Sequence, residues 1–129
     1  VRQFWHAADH PTVVVRRVRY DHRSNSAWEQ SRMSVRAQAI ATVKIDEPHV
    51  RVTEFRFAPG AETGRHRHGY DYVVVPLLDG NLLIESPDGT SHVTELHAHQ
   101  PYTRRAGVDH NVINANGFDF TFIEIELLR

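Results

Sequence analysis

The sequence contains no cysteine. That excludes disulfides, iron–sulfur clusters, thiolate metal ligands and cysteine nucleophiles together. It also lacks an excess of either charge: 15 Lys and Arg stand against 16 Asp and Glu, a net charge of -1. Neither nucleic acid nor an anionic membrane surface is therefore a favoured partner. No apolar run approaches the roughly 20 residues that cross a bilayer. The opening Val1-Arg2-Gln3-Phe4-Trp5 has no apolar stretch of the signal-peptide kind. With those signals missing, a cytoplasmic location is the expectation. No phosphate-cradling glycine loop and no Gly-x-Ser-x-Gly elbow occurs, which removes the commonest nucleotide-binding and serine-hydrolase signatures. At 129 residues the chain has room for one cored domain and not for two.

What the chain has in abundance is histidine, ten residues of it. His6, His10, His22, His49 and His92 stand singly among polar neighbours and read as exposed side chains. The others fall in pairs or beside a glycine turn, where position carries more information than number.

The pattern changes near residue 35. Residues 1–35 are rich in Arg, Ser, Asn and Gln, with one β-like run at Val13-Val14-Val15 and a capping box, Ser26-Ala27-Trp28-Glu29, that would open a short helix. This segment reads as an N-terminal arm that packs on the main domain or reaches a neighbouring subunit. Met33, the one methionine, stands where the β pattern begins; it reads as a natural start with an upstream extension before it, while Val1 suits a valine-codon start.

From residue 36 to 129 the signal is β. Strands are expected at 38–45, 49–57, 63–68, 70–77, 80–85, 91–96, 101–105, 109–114 and 118–128, rich in Val, Ile, Phe and Tyr. Asp46-Glu47-Pro48, Ala58-Pro59-Gly60, Asp79-Gly80, Pro87-Asp88-Gly89 and Asn116-Gly117 supply the turns. Many short strands with no helix between them predict an all-β sandwich or barrel in a single domain. In 49–57, Val50 and Val52 share one face while Phe55 and Phe57 take the other. In 118–128, Phe118, Phe120 and Phe122 share a face, and Ile123, Ile125 and Leu127 the opposite one. Read as a change of apolar phase, this predicts strands that bend through a bulge from one sheet into another.

Chemistry concentrates in two segments. Arg65-His66-Arg67-His68 has a period of two, so on a strand both imidazoles point to one face and both arginines to the other. Neighbouring imidazoles repel when protonated and are most stable as neutral donors to one ion. The second segment, Gly107-Val108-Asp109-His110-Asn111-Val112-Ile113-Asn114, places His110, Val112 and Asn114 on one strand face. Together the two resemble the paired motifs of the cupin superfamily. Gly60, five residues, His66-Arg67-His68 and a closing Gly80 match the first motif; Gly107, His110 and Asn114 match the second at the expected spacing. The likeness spans roughly residues 39–128.

The resemblance implies a jelly-roll β-barrel with His66, His68 and His110 binding a divalent metal ion, and a homodimer formed through barrel edges and N-terminal arms. The first motif's glutamate is missing: Tyr72 or Val73 stands there, depending on the end from which one counts. Asp71 is the nearest carboxylate and would face away unless a turn at Gly69 resets the strand. In the second motif His99 and Arg105 replace the first Gly and the Pro, neither a family ligand. Three neutral histidines suit Zn, and a three-histidine face also suits Fe, Mn or Ni with positions left open for substrate. Tyr72 becomes the candidate catalytic residue, as a hydroxyl donor or a weak phenolate ligand.

His97-Ala98-His99, beside Pro101, reads as a loop and not as a second clamp. Tyr70, Tyr102, Arg104 and Arg105 are candidates to line the mouth, where arginine holds a carboxylate by two contacts. The runs 71–77 and 104–116 are similar to small bacterial cupins associated with β-alanine degradation. That similarity implies a small carboxylate or amino-acid-derived ligand, and either a metal-dependent enzyme, possible dioxygenases included, or a non-catalytic binding module.

Overall fold

A computed structural model describes residues 36–129, and its order follows the spacing of the turns. The strands are β1 (Ile40–Glu47), β2 (Val50–Phe57), β3 (His66–Arg67), β4 (Asp71–Pro76), β5 (Gly80–Glu85), β6 (Ser91–Leu96), β7 (Tyr102–Arg104), β8 (Asp109–Asn114) and β9 (Phe120–Leu127). Each falls where the sequence alternates between turn signals. The expected strand at Val13-Val14-Val15 and the capping box lie outside the described residues. Among those residues there is no helix, and so none long and apolar enough to cross a membrane.

The strands form two sheets, one ordered β1-β2-β9-β4-β7 and one ordered β3-β8-β5-β6. Every named pairing is antiparallel. The core sits between the two inner faces, where Phe55, Phe57, Tyr72, Val74, Phe120 and Phe122 of the larger sheet meet Leu82, Leu96 and Val112 of the smaller. Phe122 packs 5.3 Å from Phe55 and 5.5 Å from Phe57 between ring centres, in the tilted geometry that aromatic quadrupoles favour.

The expected bends in β2 and β9 are corrected. Both strands run in unbroken register, Val50 opposite Leu127 through to Phe57 opposite Phe120. The irregularity lies in β1, where the register shifts between Val43 and Ile45. No phase changes in β9: Phe120, Phe122, Glu124 and Glu126 all face inward and are buried. The inner face simply becomes polar toward its end, and the outer face is apolar. Across β2, β9 and β4 that outer face carries a half-buried row of Val52, Ile125 and Val73, with Ile123 and Val75 beside it.

Two details of the second motif hold β8 in place. The Asn114 side chain donates to the carbonyls of Phe57, Ala58 and Phe118, so one buried amide ties three chain segments together. Gly80 passes so close to the Phe120 ring that an added Cβ would lie 2.7 Å from it, and only glycine fits there.

Candidate metal centre

The short strand β3 pairs with β8 so that His66 lies directly opposite His110, and Arg67 opposite Asp109. His68 follows β3; its N–H donates to the Val108 carbonyl at 2.8 Å, and its own carbonyl accepts from Gly107 at 2.7 Å. The period of two then turns His66 and His68 inward and the arginines outward. Arg65, on the exposed side, makes a two-point contact with Asp109, 3.1 Å on each arm, which clamps β3 to β8 from behind. Gly107, at φ 101°, makes the turn that leads into β8, a conformation that suits a residue without Cβ.

The three imidazoles converge. His66 Nε2 is 2.9 Å from His68 Nε2, and His68 Nε2 is 3.2 Å from His110 Nε2. Two nitrogens each about 2.1 Å from one ion are about 3.0 Å apart at a right angle and about 3.4 Å apart in a tetrahedron. The observed spacings fit a shared ion. The tautomer of His66 agrees: its Nδ1 lies 2.9 Å from the Gly64 carbonyl, which can only accept, so the proton sits on Nδ1 and the lone pair of Nε2 points into the cluster.

Burial favours the neutral imidazoles. It lowers the pKa of His66, while that of His68 falls to about 2 and that of His110 to about 3, burial being the largest cause and repulsion from His66 the next in both. His66, His68 and His110 form the cluster of potential metal-ligating groups found among the described residues. The donor set and its spacing are compatible with a metal ion.

Asp71 does not join them. It is exposed, and its Oδ1 accepts the Ala106 N–H at 2.8 Å, so the turn at Gly69 does not reset its direction. Tyr72, its inward neighbour, stacks on the His68 ring at 3.9 Å and is 2% exposed. Burial first, then the nearby Glu124, push its phenol above the ordinary range. The group at Tyr72 is thus a neutral hydroxyl in the absence of an ion. His97 and His99 are exposed on the loop after β6; His97 pairs with Glu95 at 3.1 Å, and neither approaches the cluster.

The cluster opens on a cavity of about 220 Å³ between the sheets. Tyr102 and Arg104 line it as expected, with the Arg104 guanidinium 4.6 Å from the Tyr102 ring centre. Tyr70 and Arg105 do not; His92 is exposed, as expected, and reaches the rim of the cavity as well. Sequence reasoning missed Glu124, which lines the cavity from β9 and is 5% exposed. The signal was present: Phe118, Phe120, Phe122 and Glu124 continue one alternation.

No family model matches the chain. Beta-alanine degradation protein BauB of Pseudomonas aeruginosa is 61% identical over 95 residues, which are 74% of this chain and 99% of that protein. The crystal structure of a cupin domain from Bordetella pertussis is 54% identical with a TM-score of 0.69, over 71% of this chain and 95% of that one. An RmlC-like cupin with a double-stranded β-helix fold from Methanocaldococcus jannaschii shares the fold at 12% identity, with a TM-score of 0.58 over 70% of this chain and 80% of that one.

Proposed function

The chain belongs to the cupin superfamily, and from that premise we propose that it is a metal-dependent cupin enzyme acting on a small polar or carboxylate metabolite. The observation that carries this reading is the convergence of three neutral Nε2 atoms on one point at the wall of a cavity. Bound there, a divalent Fe, Zn, Mn or Ni ion supplies Lewis acidity and, as iron, reactivity toward dioxygen, the basis of the dioxygenase reading.

The chain's own groups do the rest. His66, His68 and His110 hold the ion, and the Gly64 carbonyl orients His66. With no carboxylate in the set, the ion keeps its full charge and favours an anionic substrate group. Arg104 at the wall adds a second positive charge for a carboxylate. Tyr72, held protonated beside His68, offers a hydroxyl to whatever enters. Cavity size limits the choice, since a void of about 150 Å³ already accepts benzene and this one is about 220 Å³. The name of the Pseudomonas relative supports an amino-acid-derived metabolite.

Elemental analysis of protein purified without a chelating column tests the reading. About one equivalent of metal per chain is expected; less than about a tenth of an equivalent after reconstitution with Fe, Zn, Mn and Ni overturns it. A bound ion with no exchangeable water marks the alternative, a non-catalytic binding module.

The reading also includes a cytoplasmic protein, with no nucleic-acid or membrane partner, that works as a homodimer. The outer face of the five-stranded sheet favours a second copy as the partner. Its apolar centre at Val52, Ile123, Ile125 and Val73 is flanked by Glu54, Arg56 and Asp71. An isologous contact sets the same patch of both copies against itself, and a patch that carries both signs of charge around an apolar centre is able to pair in this way. Sizing at micromolar concentration is expected to give a dimer, and Ile125→Lys a monomer with its metal retained; a wild-type monomer refutes the arrangement.

A further inference from the structure

The inner face of the five-stranded sheet lines the cavity with the hydroxyls of Tyr72 on β4 and Tyr102 on β7 and with the carboxyl group of Glu124 on β9. These groups are neighbours in the ladder. Val74 lies between Glu124 on one side and Tyr102 on the other, and Tyr72 is the next inward residue along β4. Each is within electrostatic reach of the others. Among the described residues no hydrogen bond reaches either hydroxyl or the carboxyl group. Phe55, Leu82 and Phe122 beside them offer no partner, so what satisfies these groups comes from whatever enters the cavity. The candidate metal centre lies against the same wall, since the Tyr72 ring stacks on that of His68.

All of these groups are donors. Burial raises both phenols, that of Tyr102 to about 12, and it raises Glu124 to about 8 with help from Glu126. Near neutral pH each therefore carries its proton and has an O–H to give. A phenol beside a neutral carboxylic acid in apolar surroundings is one way in which proteins hold an oxyanion. Charge agrees with this. Arg104 stands opposite Tyr72 in the ladder and within reach of both tyrosines, and an ion held by His66, His68 and His110 adds positive charge against the same wall. An anion gains from both charges, and a cation is repelled by both. We propose that Tyr102 and Glu124 join Tyr72 as the oxyanion-binding residues of this site, donating hydrogen bonds to a negatively charged oxygen of the ligand that the metal ion holds. This rests on the metal reading. The ligand class is a small acid whose anion meets the ion through one oxygen and turns its charge toward the wall of β4, β7 and β9.

The test uses the zinc-loaded full chain at about pH 6, below the range in which zinc-bound water ionises. Calorimetry measures the binding of acetohydroxamate, which meets zinc through oxygen as an anion, and of imidazole, a neutral nitrogen ligand of the same ion. Zinc content and melting curves are measured on the same samples. Tyr102→Phe and Glu124→Leu are each expected to weaken acetohydroxamate about tenfold or more, the effect of losing one hydrogen bond to a charged group, and imidazole by less than about threefold. Glu124→Gln keeps an N–H donor and is expected to stay within about threefold of wild type for both probes. Titrations of wild type in two buffers of different ionisation enthalpy should show about one proton released per acetohydroxamate bound, because the wall gives hydrogen bonds and takes up no proton. Unchanged acetohydroxamate affinity in either folded variant removes that residue from the assignment, and in both overturns it. An equal loss of imidazole, a loss in Glu124→Gln equal to that in Glu124→Leu, or wild-type binding without proton release also overturns it. All of these outcomes, with zinc bound, leave the metal reading standing. A chain that does not load zinc removes the metal reading and the assignment with it.

Discussion

Replacing His66 with alanine is expected to abolish stoichiometric metal binding and, with it, the thermal stabilisation that metal confers. In wild type a ligand that binds only the folded chain stabilises it by about 4 kcal/mol at a thousandfold excess over Kd. For a domain near this size each kcal/mol moves Tm by roughly 4–8 °C, so the metal-induced shift is large. His66 is the strongest choice because it is the candidate ligand whose tautomer is fixed from outside the cluster, through the Gly64 carbonyl 2.9 Å from its Nδ1. Loss of groups that merely orient a ligand costs 10–100-fold in affinity, and loss of the ligand itself is expected to cost more. Titration calorimetry and melting curves with added zinc read both effects. Alanine at His97, exposed and paired with Glu95, serves as the control and should leave binding intact. If His66→Ala retains a full equivalent with wild-type affinity, the metal site lies elsewhere.

The reasons this site was legible in the sequence also explain what was not. His66 and His68 are two apart on a strand, and alternation alone puts them on one face. His110 could be joined to them because its motif has fixed spacing to Asn114, whose side chain does hold three carbonyls. The nine strands among the described residues were legible because a turn signal bounds nearly every one. Glu124 and Glu126 were not, because charged side chains are expected at the surface and fully buried ones are rare. The apolar outer residues Ile123, Ile125 and Leu127 reinforced the error. With acids on one face and aliphatics on the other, the simplest reading was a strand that had turned over. What decides the matter is the pairing of β9 with both β2 and β4 in continuous register. That is a long-range fact, and local pattern does not contain it. Asp71 shows the converse: alternation placed it outward, and it is outward, accepting a backbone N–H from Ala106.

Those buried acids make the metal-free protein unusually dependent on pH, with opposite signs on the two sides of a maximum. On the acid side the histidines govern. His68 and His110 titrate near 2 and 3 in the folded chain, against an ordinary 6.5. Between about pH 3 and 6.5 the unfolded chain therefore holds protons that the folded chain does not, and stability rises with pH. On the alkaline side the acids govern. Glu124 is raised to about 8 and Glu126 to about 7, from an ordinary 4.5, burial being the first cause in each. Their contribution is complete below pH 4.5 and is lost as pH climbs through the folded values, because the folded chain must then bury a carboxylate or release it. Each proton difference is worth about 1.4 kcal/mol per pH unit at full effect. From about pH 4.5 to 6.5 the two sets oppose one another, and above 6.5 only the acids remain. The expected curve of Tm against pH is a broad plateau over that middle range, a steep fall below it, and a second fall between about 6.5 and 8. Glu124→Gln removes one of the two titrations on the alkaline limb. Its Tm at pH 8.5 is expected to exceed wild type by several degrees, with the acid limb unchanged. A wild-type Tm that stays flat from pH 6.5 to 8.5, or a variant whose curve runs parallel to it, would show that Glu124 is not held neutral by burial.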